Sequence, residues 1–319
     1  MDLSAIDPIT LFAGLVAAAT PLLFAAVGEL VVEKSGVLNL GVEGMMIIGA
    51  VCGFAAATLT GSAALGFLAG ALGGVALSLI FGLLTQIFLS NQVATGLALT
   101  LFGLGLAALI GQPFTGIKPP PFSALDLPGL SDLPVLGRML FGFDVIIYGG
   151  IVLIGLVWLF LNRTRSGLIL RAVGENHDAA HSLGYPVVAI RLAAIAFGGA
   201  CAGLGGAYLS LVRVPQWTEG MTAGAGWIAL AIVVFATWKP WRVLLGAWLF
   251  GGVTILQLNL QASGFLSWLQ SQGIPAQSQY LSMTPYLVTI LVLVLISADR
   301  MRARLNTPGC LGRAFTASD

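Results

Sequence analysis

"RSGLILRAVGENHDAAHSLGYPVVAIR", Arg165 to Arg191, is a polar island between two of the most apolar stretches of a 319-residue chain. The run before it, "VIIYGGIVLIGLVWLF" (145–160), and the run after it, "LAAIAFGGACAGLGGAYLSL" (192–211), contain no charged side chain. Crossing about 30 Å of hydrocarbon takes about 20 helical residues, so the alternation reads as span, surface segment, span. The rest of the chain repeats the pattern. Of all residues 58% are apolar and 8% charged, with a mean hydropathy of +0.98, whereas soluble domains carry about 25% charged residues. A chain so poor in charge cannot cover its own surface in water. The apolar runs are continuous rather than ten-residue alternations, which excludes a β-barrel reading. The expected fold is an all-α integral membrane protein.

Working outward, apolar runs occur at 9–32, 45–60, 62–89, 92–111, 145–161, 191–212, 223–238, 242–261 and 284–298, which predicts a polytopic bundle of about 8–10 transmembrane helices in one domain, 1–319. The start, "MDLSAID", is acidic and the apolar run after it is too long for a cleaved signal peptide. If 162–190 is cytoplasmic and the spans alternate, eleven of the fourteen Lys and Arg residues face the cytoplasm; Lys118, Arg138 and Arg213 face out. The expectation is therefore a multi-pass membrane protein with a cytoplasmic tail, 299–319, and an outer N-terminus. Prolines in the outer loop, 111–144, prevent a continuous helix there. Trp217, Trp238, Trp241 and Trp268 lie near span ends, where indoles anchor at the interface.

Several chemistries are absent. No GxxxxGK[ST] loop, dinucleotide fingerprint, GxSxG or Cys/His cluster occurs. Cys52, Cys201 and Cys310 are isolated and read as small core residues. A net charge of +1 with no long basic run gives no case for nucleic acid. "HDAAH" sets His177 and His181 on one helix face, but catalytic zinc takes three protein ligands and a base. These are the only histidines, and Asp178 stands where the zinc helix requires Glu. No metal site is expected. Gly174 before and Gly184-Tyr185-Pro186 after punctuate a short surface helix, with little to bury itself against, that suits docking to a partner.

Polar residues at span depth mark two further regions. In "AAVGELVVEKSGVLNLGVEGMMIIGA" (25–50), Glu29, Glu33, Asn39 and Glu43 interrupt apolar sequence, and Gly28, Gly36, Gly41 and Gly44 allow a helix break. A carboxylate at mid-bilayer costs about 2.5–3.5 kcal/mol. Irregular backbone survives there only inside protein or along water. Glu29, Asn39 and Glu43 therefore read as lining a polar pathway or as solvated in a cytoplasmic loop. In "SNQVATGLALT", Asn91 and Gln92 with Thr95 and Thr100 suit an uncharged, hydrogen-bonding solute, or serve as interhelical glue. Gly70-xxx-Gly74 and Gly199-xxx-Gly203 signal close helix packing.

"TPLLFAAVGELVVEKSGVLNLGVEGMMIIGA", "NQVATGLALTL", "RAVGENHDAAHSLGYPVVAIRLAAIAFGGACAGLGGAYLS" and "GMTAGAGWIALAIVVFATWKPW" resemble, in order over about residues 15–300, the permease subunits of ABC importers in the branched-chain amino acid and simple sugar superfamily. The SGVLNLGVEG form is most similar to nucleoside permeases. The resemblance implies that the polar island is the loop that docks on a separate ATP-binding subunit, with Gly174, Glu175, Asn176, Ala179, Ala180 and Gly184 carrying the match. His177 and His181 are then local variation, replaceable by alanine at little cost. ATP and Mg would sit on that partner, and this chain would bind no cofactor and be no enzyme. The further partners implied are a second, different permease and an extracytoplasmic solute-binding protein. At Ala225, many nucleoside-type relatives carry a basic residue; the departure points to clients such as free purine bases. The alternatives are a sugar or branched-chain amino acid permease, or an ion-coupled transporter using Glu29.

Overall fold

A computed structural model describes residues 8–122, 141–263, 266, 270, 272, 277–297 and 306–316. The helices are α1 (Pro8–Lys34), α2 (Val42–Thr60), α3 (Ala63–Gly82), α4 (Gln92–Gly111), α5 (Val145–Arg163), α6 (Arg165–Glu175), α7 (His177–Ser182), α8 (Val187–Tyr208), α9 (Ala225–Phe235), α10 (Pro240–Ala262), α11 (Ser278–Ser282) and α12 (Thr284–Ser297). A π turn extends α3 through Ile87 and another extends α8 through Arg213. No strand occurs among the described residues. Among the described residues seven helices are long and apolar enough to span: Ile9–Lys34, Val42–Thr60, Ala63–Ile87, Gln92–Phe114, Val145–Arg163, Val187–Arg213 and Pro240–Ala262. The chain is a multi-pass, all-α membrane protein. Trp268, the core of the 111–144 loop (123–140) and the tail residues 299–305 and 317–319 lie outside the described residues.

Polar side chains fix where the helices start. Ser62, Asn91, Asp144, Thr164 and Asn176 each accept a bond from a backbone N–H three residues on, satisfying amides the first turn leaves open. Packing inside the bundle is between backbones. A Cβ added at Gly203 would overlap the Gly70 carbonyl, and one at Gly49 or Gly74 would run into Gly203. The expected small-residue seams thus join α2, α3 and α8, and Gly28 meets Gly198 where α1 crosses α8. With no hydrophobic drive between helices in lipid, such close approach is what holds them. α10 lies along α1, with Gly251 against Leu15 and Ala19.

The expected span at 223–238 is not one. α9 has 11 residues, about 16 Å at 1.5 Å per residue, or half a bilayer. Positive φ at Ala223 (47°) and Gly224 (87°) stops the helix at one end, and at Thr237 (48°) and Trp238 (54°) at the other. Residues 214–224 before it are non-helical, tied to the end of α4 by the Thr115–Trp217 bridge. A second break lies between α1 and α2, where Gly36 has φ 89°. α2 consequently starts level with the middle of α4: Gly44 lies against Leu99 and Thr100, and Gly103 against Gly44. The half-length α9 therefore lies inside the bundle against the start of α2, where Gly226 meets the Glu43 backbone. The expected interfacial role of Trp217 and Trp238 gives way as well, because both are buried; Trp241 is exposed.

Candidate functional site

The 35–41 loop is deeply buried, so every polar backbone group in it needs a partner. Glu29 and α4 supply them. Glu29 Oε1 accepts from Asn39 N (3.2 Å) and Oε2 from Asn39 Nδ2 (3.4 Å), while Asn39 Oδ1 accepts from Gly41 N (2.9 Å). Leu38 N donates to Gln92 Oε1 (2.8 Å), and Thr100 Oγ1 to Leu40 O (3.1 Å). Gln92 Nε2 is buried with no partner among the described residues.

One turn further on, Glu43 turns its carboxylate to the start of α9. It accepts from Thr222 Oγ1 (2.5 Å), Gly224 N (3.0 Å) and Gly226 N (2.6 Å). A helix N-terminus is a natural seat for an anion, with unpaired N–H groups and the positive end of the dipole. Gly226 lies so close to the Glu43 backbone that no side chain fits there. At the far end of α9, Trp238 Nε1 donates to Glu33 Oε2 (2.5 Å). Both ends of the half-helix are thus tied to carboxylates near the α1–α2 break. Of the five residues read as lining a pathway, Glu29, Asn39, Glu43 and Gln92 come together in this buried seam. Asn91 stands apart: exposed, it caps α4 through Ala94 N at 3.0 Å. A cavity of about 580 Å³ is lined mostly by apolar side chains such as Val31, Phe160, Leu170, Ile190 and Phe197, with Ser166 and Tyr185 among them, and offers a polar solute little.

The polar island forms an elbow. The expected short helix is α7; α6 precedes it, and the two are broken at Asn176 (φ −151°, ψ 97°), whose side chain caps α7 by accepting from Ala179 N at 3.0 Å. It is also better buried than its composition predicts, because residues 306–316 fold beneath it. Gly174 is buried, and a Cβ there would overlap the Lys34 carbonyl. Its own carbonyl accepts from Cys310 N (2.8 Å), and Gly36 O accepts from Gly312 N (3.1 Å). Ala180 packs with Val173, Val187 and Phe315. Glu175, Asn176, Ala179 and Gly184 face out, beside a 77%-exposed Leu183. Glu175 Oε2 accepts from Gly309 N at 3.2 Å, and Lys34 Nζ donates to Asn306 O at 2.9 Å.

Both histidines meet Phe315 edge-on, with ring centroids 5.3 Å (His177) and 5.2 Å (His181) away. His177 is buried and its Nδ1 lies 3.0 Å from Arg191 Nη2. A guanidinium only donates, so Nδ1 accepts and the ring proton sits on Nε2, toward Asp178. Burial, then the Arg191 charge, with Arg313 adding to them, hold the His177 pKa below its ordinary 6.5 against a smaller opposing pull from Asp178. Arg191, Thr222, Trp238 and the 306–316 segment escape a reading of the sequence. "TAGAG" before an apolar run is the one available signal, since its glycines mark an open helix N-terminus.

A family model described as the permease component of branched-chain amino acid transport systems matches residues 11–296. The chain belongs to this family. Over 315 residues the permease is 40% identical to a putative glucose ABC transporter permease of Haloferax volcanii, covering 94% of this chain and 95% of that one. It is 36% identical over 307 residues to a guanosine ABC transporter permease of Bacillus subtilis (92% and 93%). It is 34% identical over 288 residues to a nucleoside ABC transporter permease of Lactococcus lactis (86% and 88%). No solved structure matches. The permease is thus an ABC transporter permease subunit, with a transport role rather than an enzymatic one.

Proposed function

We propose that this chain is the transmembrane subunit of an ATP-driven importer for nucleosides or purine-type compounds, coupled through its α6–α7 elbow to a separate ATP-binding subunit. The observation that carries the coupling role is the elbow itself. Glu175, Asn176, Ala179 and Gly184 form an exposed face, while Gly174 and Ala180 behind them rest on the 306–316 segment and on the end of α1. A push on that face meets structure bonded to the 35–41 loop. Lys34, Arg171 and Lys239 lie close together at the elbow end of the bundle, and this local clustering of cations supports a cytoplasmic elbow and tail. ATP and Mg belong to the partner, and a second permease and an extracytoplasmic binding protein complete the assembly.

Glu29, Asn39, Glu43 and Gln92 are then the groups the solute path adjoins, and motion of α9 against Glu43 opens it. Two nucleoside-class relatives support the substrate reading. The glucose-type relative supports a second one, a hexose importer. Vesicles holding the complete importer decide between them. ATP-dependent uptake of labelled guanosine that unlabelled glucose does not suppress is the expected result; uptake of glucose alone overturns the substrate. Charge reversal at Glu175 (E175K) should leave the complex assembled and hydrolysing ATP while uptake falls about tenfold or more. Normal uptake by E175K would remove the elbow from coupling.

A further inference from the structure

Arg191, in the second turn of α8, has the largest fully buried side chain of the described residues. No carboxylate pairs with it among them. Its guanidinium instead reaches four different parts of the chain: Nε donates to Ser35 O (3.2 Å), Nη1 to Gln86 Oε1 (3.4 Å) and Arg313 O (3.1 Å), and Nη2 to His177 Nδ1 (3.0 Å). Ser35 opens the buried 35–41 loop, Gln86 sits in the π turn ending α3, His177 starts α7, and Arg313 belongs to the segment under the elbow. A planar fork with five fixed donors holds such a set in one geometry. Backbone bonds from Cys310 to Gly174 and from Gly312 to Gly36 run alongside, and Phe315 sits between the two imidazoles. The other end of the same loop carries Asn39, bonded to Glu29.

We propose that Arg191 is the positioning residue that makes the elbow, the 306–316 segment and the 35–41 loop move as one body, carrying displacement of the elbow to Asn39 and the Glu29–Glu43 seam. This rests on the coupling role proposed for the elbow. The segment under the elbow is the strut that keeps the hub closed, and Arg191 is its pin.

The test uses the assembled importer in vesicles, reading guanosine uptake against ATP hydrolysis. R191Q should assemble and hydrolyse ATP but transport about tenfold less per ATP, and R191K, which keeps the charge and up to three donors, should fall between. Spin labels at Leu183→Cys and Thr316→Cys, both exposed sites, should keep a fixed separation when ATP and vanadate are added to the otherwise native chain, and a broadened one in R191Q. A native transport-to-hydrolysis ratio in R191Q overturns the proposal. Where E175K is uncoupled and R191Q is not, only Arg191's role fails; where E175K transports normally, the coupling role itself fails. If R191Q does not accumulate, F315A decides: lost coupling with Cys310 newly open to a maleimide supports the hub, and native coupling with Cys310 open overturns it.

Discussion

Glu43 shows how one side chain sets the state of a helix. Its carboxylate is the acceptor for three donors at the start of α9, and buried donors left unpaired cost about 1–3 kcal/mol each. E43A should therefore lower stability by about 3 kcal/mol, with E43Q in between because one acceptor oxygen remains; thermal unfolding in detergent compares the two. His177 contributes a pH dependence of its own. With its folded-state pKa below 6.5, the unfolded chain binds its proton more readily than the folded one. The stability this group contributes is complete above 6.5 and declines as pH falls from there toward the lower folded value. Protonation would set a second cation against Arg191, near Arg313, with Asp178 the opposing charge. H177Q keeps an acceptor and cannot titrate, so its unfolding midpoint should be flatter than wild type between pH 7.5 and 5.5. The sequence marked the carboxylates and Asn39 as out of place in lipid, and there it was informative. His177, read as dispensable, and Arg191, read as one more loop charge, owe their importance to partners up to 156 positions away, which no local pattern encodes.

Among the elements, the seam where α2, α3 and α8 meet is built from glycine backbones. The neighbour a new Cβ would strike at Gly203 is the Gly70 carbonyl, which has no rotamer to yield. G203A should cost about 1–3 kcal/mol. Gly105 in α4, exposed with open space beside it, is the control: G105A should be neutral or gain about 0.5–1 kcal/mol from helix propensity. Equal losses at both sites in thermal unfolding would remove the seam as the cause. These elements were legible because small-xxx-small spacing and apolar length are local properties. α9 was not, because hydropathy runs unbroken over 223–238 while the helix is ended by left-handed backbone at Ala223, Gly224, Thr237 and Trp238. A window of apolar residues reports burial, and burial in protein looks the same as burial in lipid.

At the scale of the whole molecule, the alternation of apolar runs gave the architecture, and the order of the motifs gave the family. What stayed hidden is that 306–316, short and without periodicity, returns to underpin a segment far earlier in the chain, with Gly309 bonded to Glu175 across 134 positions. A chain truncated after residue 305 should still insert its spans, yet trypsin should cut it faster within 163–171, as followed by fragment sizes in inside-out vesicles. That dependence has a temporal side. Synthesis runs from the N-terminus, so Arg191 is laid down 122 residues before the Arg313 carbonyl it binds. Every described helix is already made when the hub closes. Until residue 313 has been added, the hub lacks one of its four acceptors and the elbow lacks the backbone bonds from Cys310 and Gly312 that brace it.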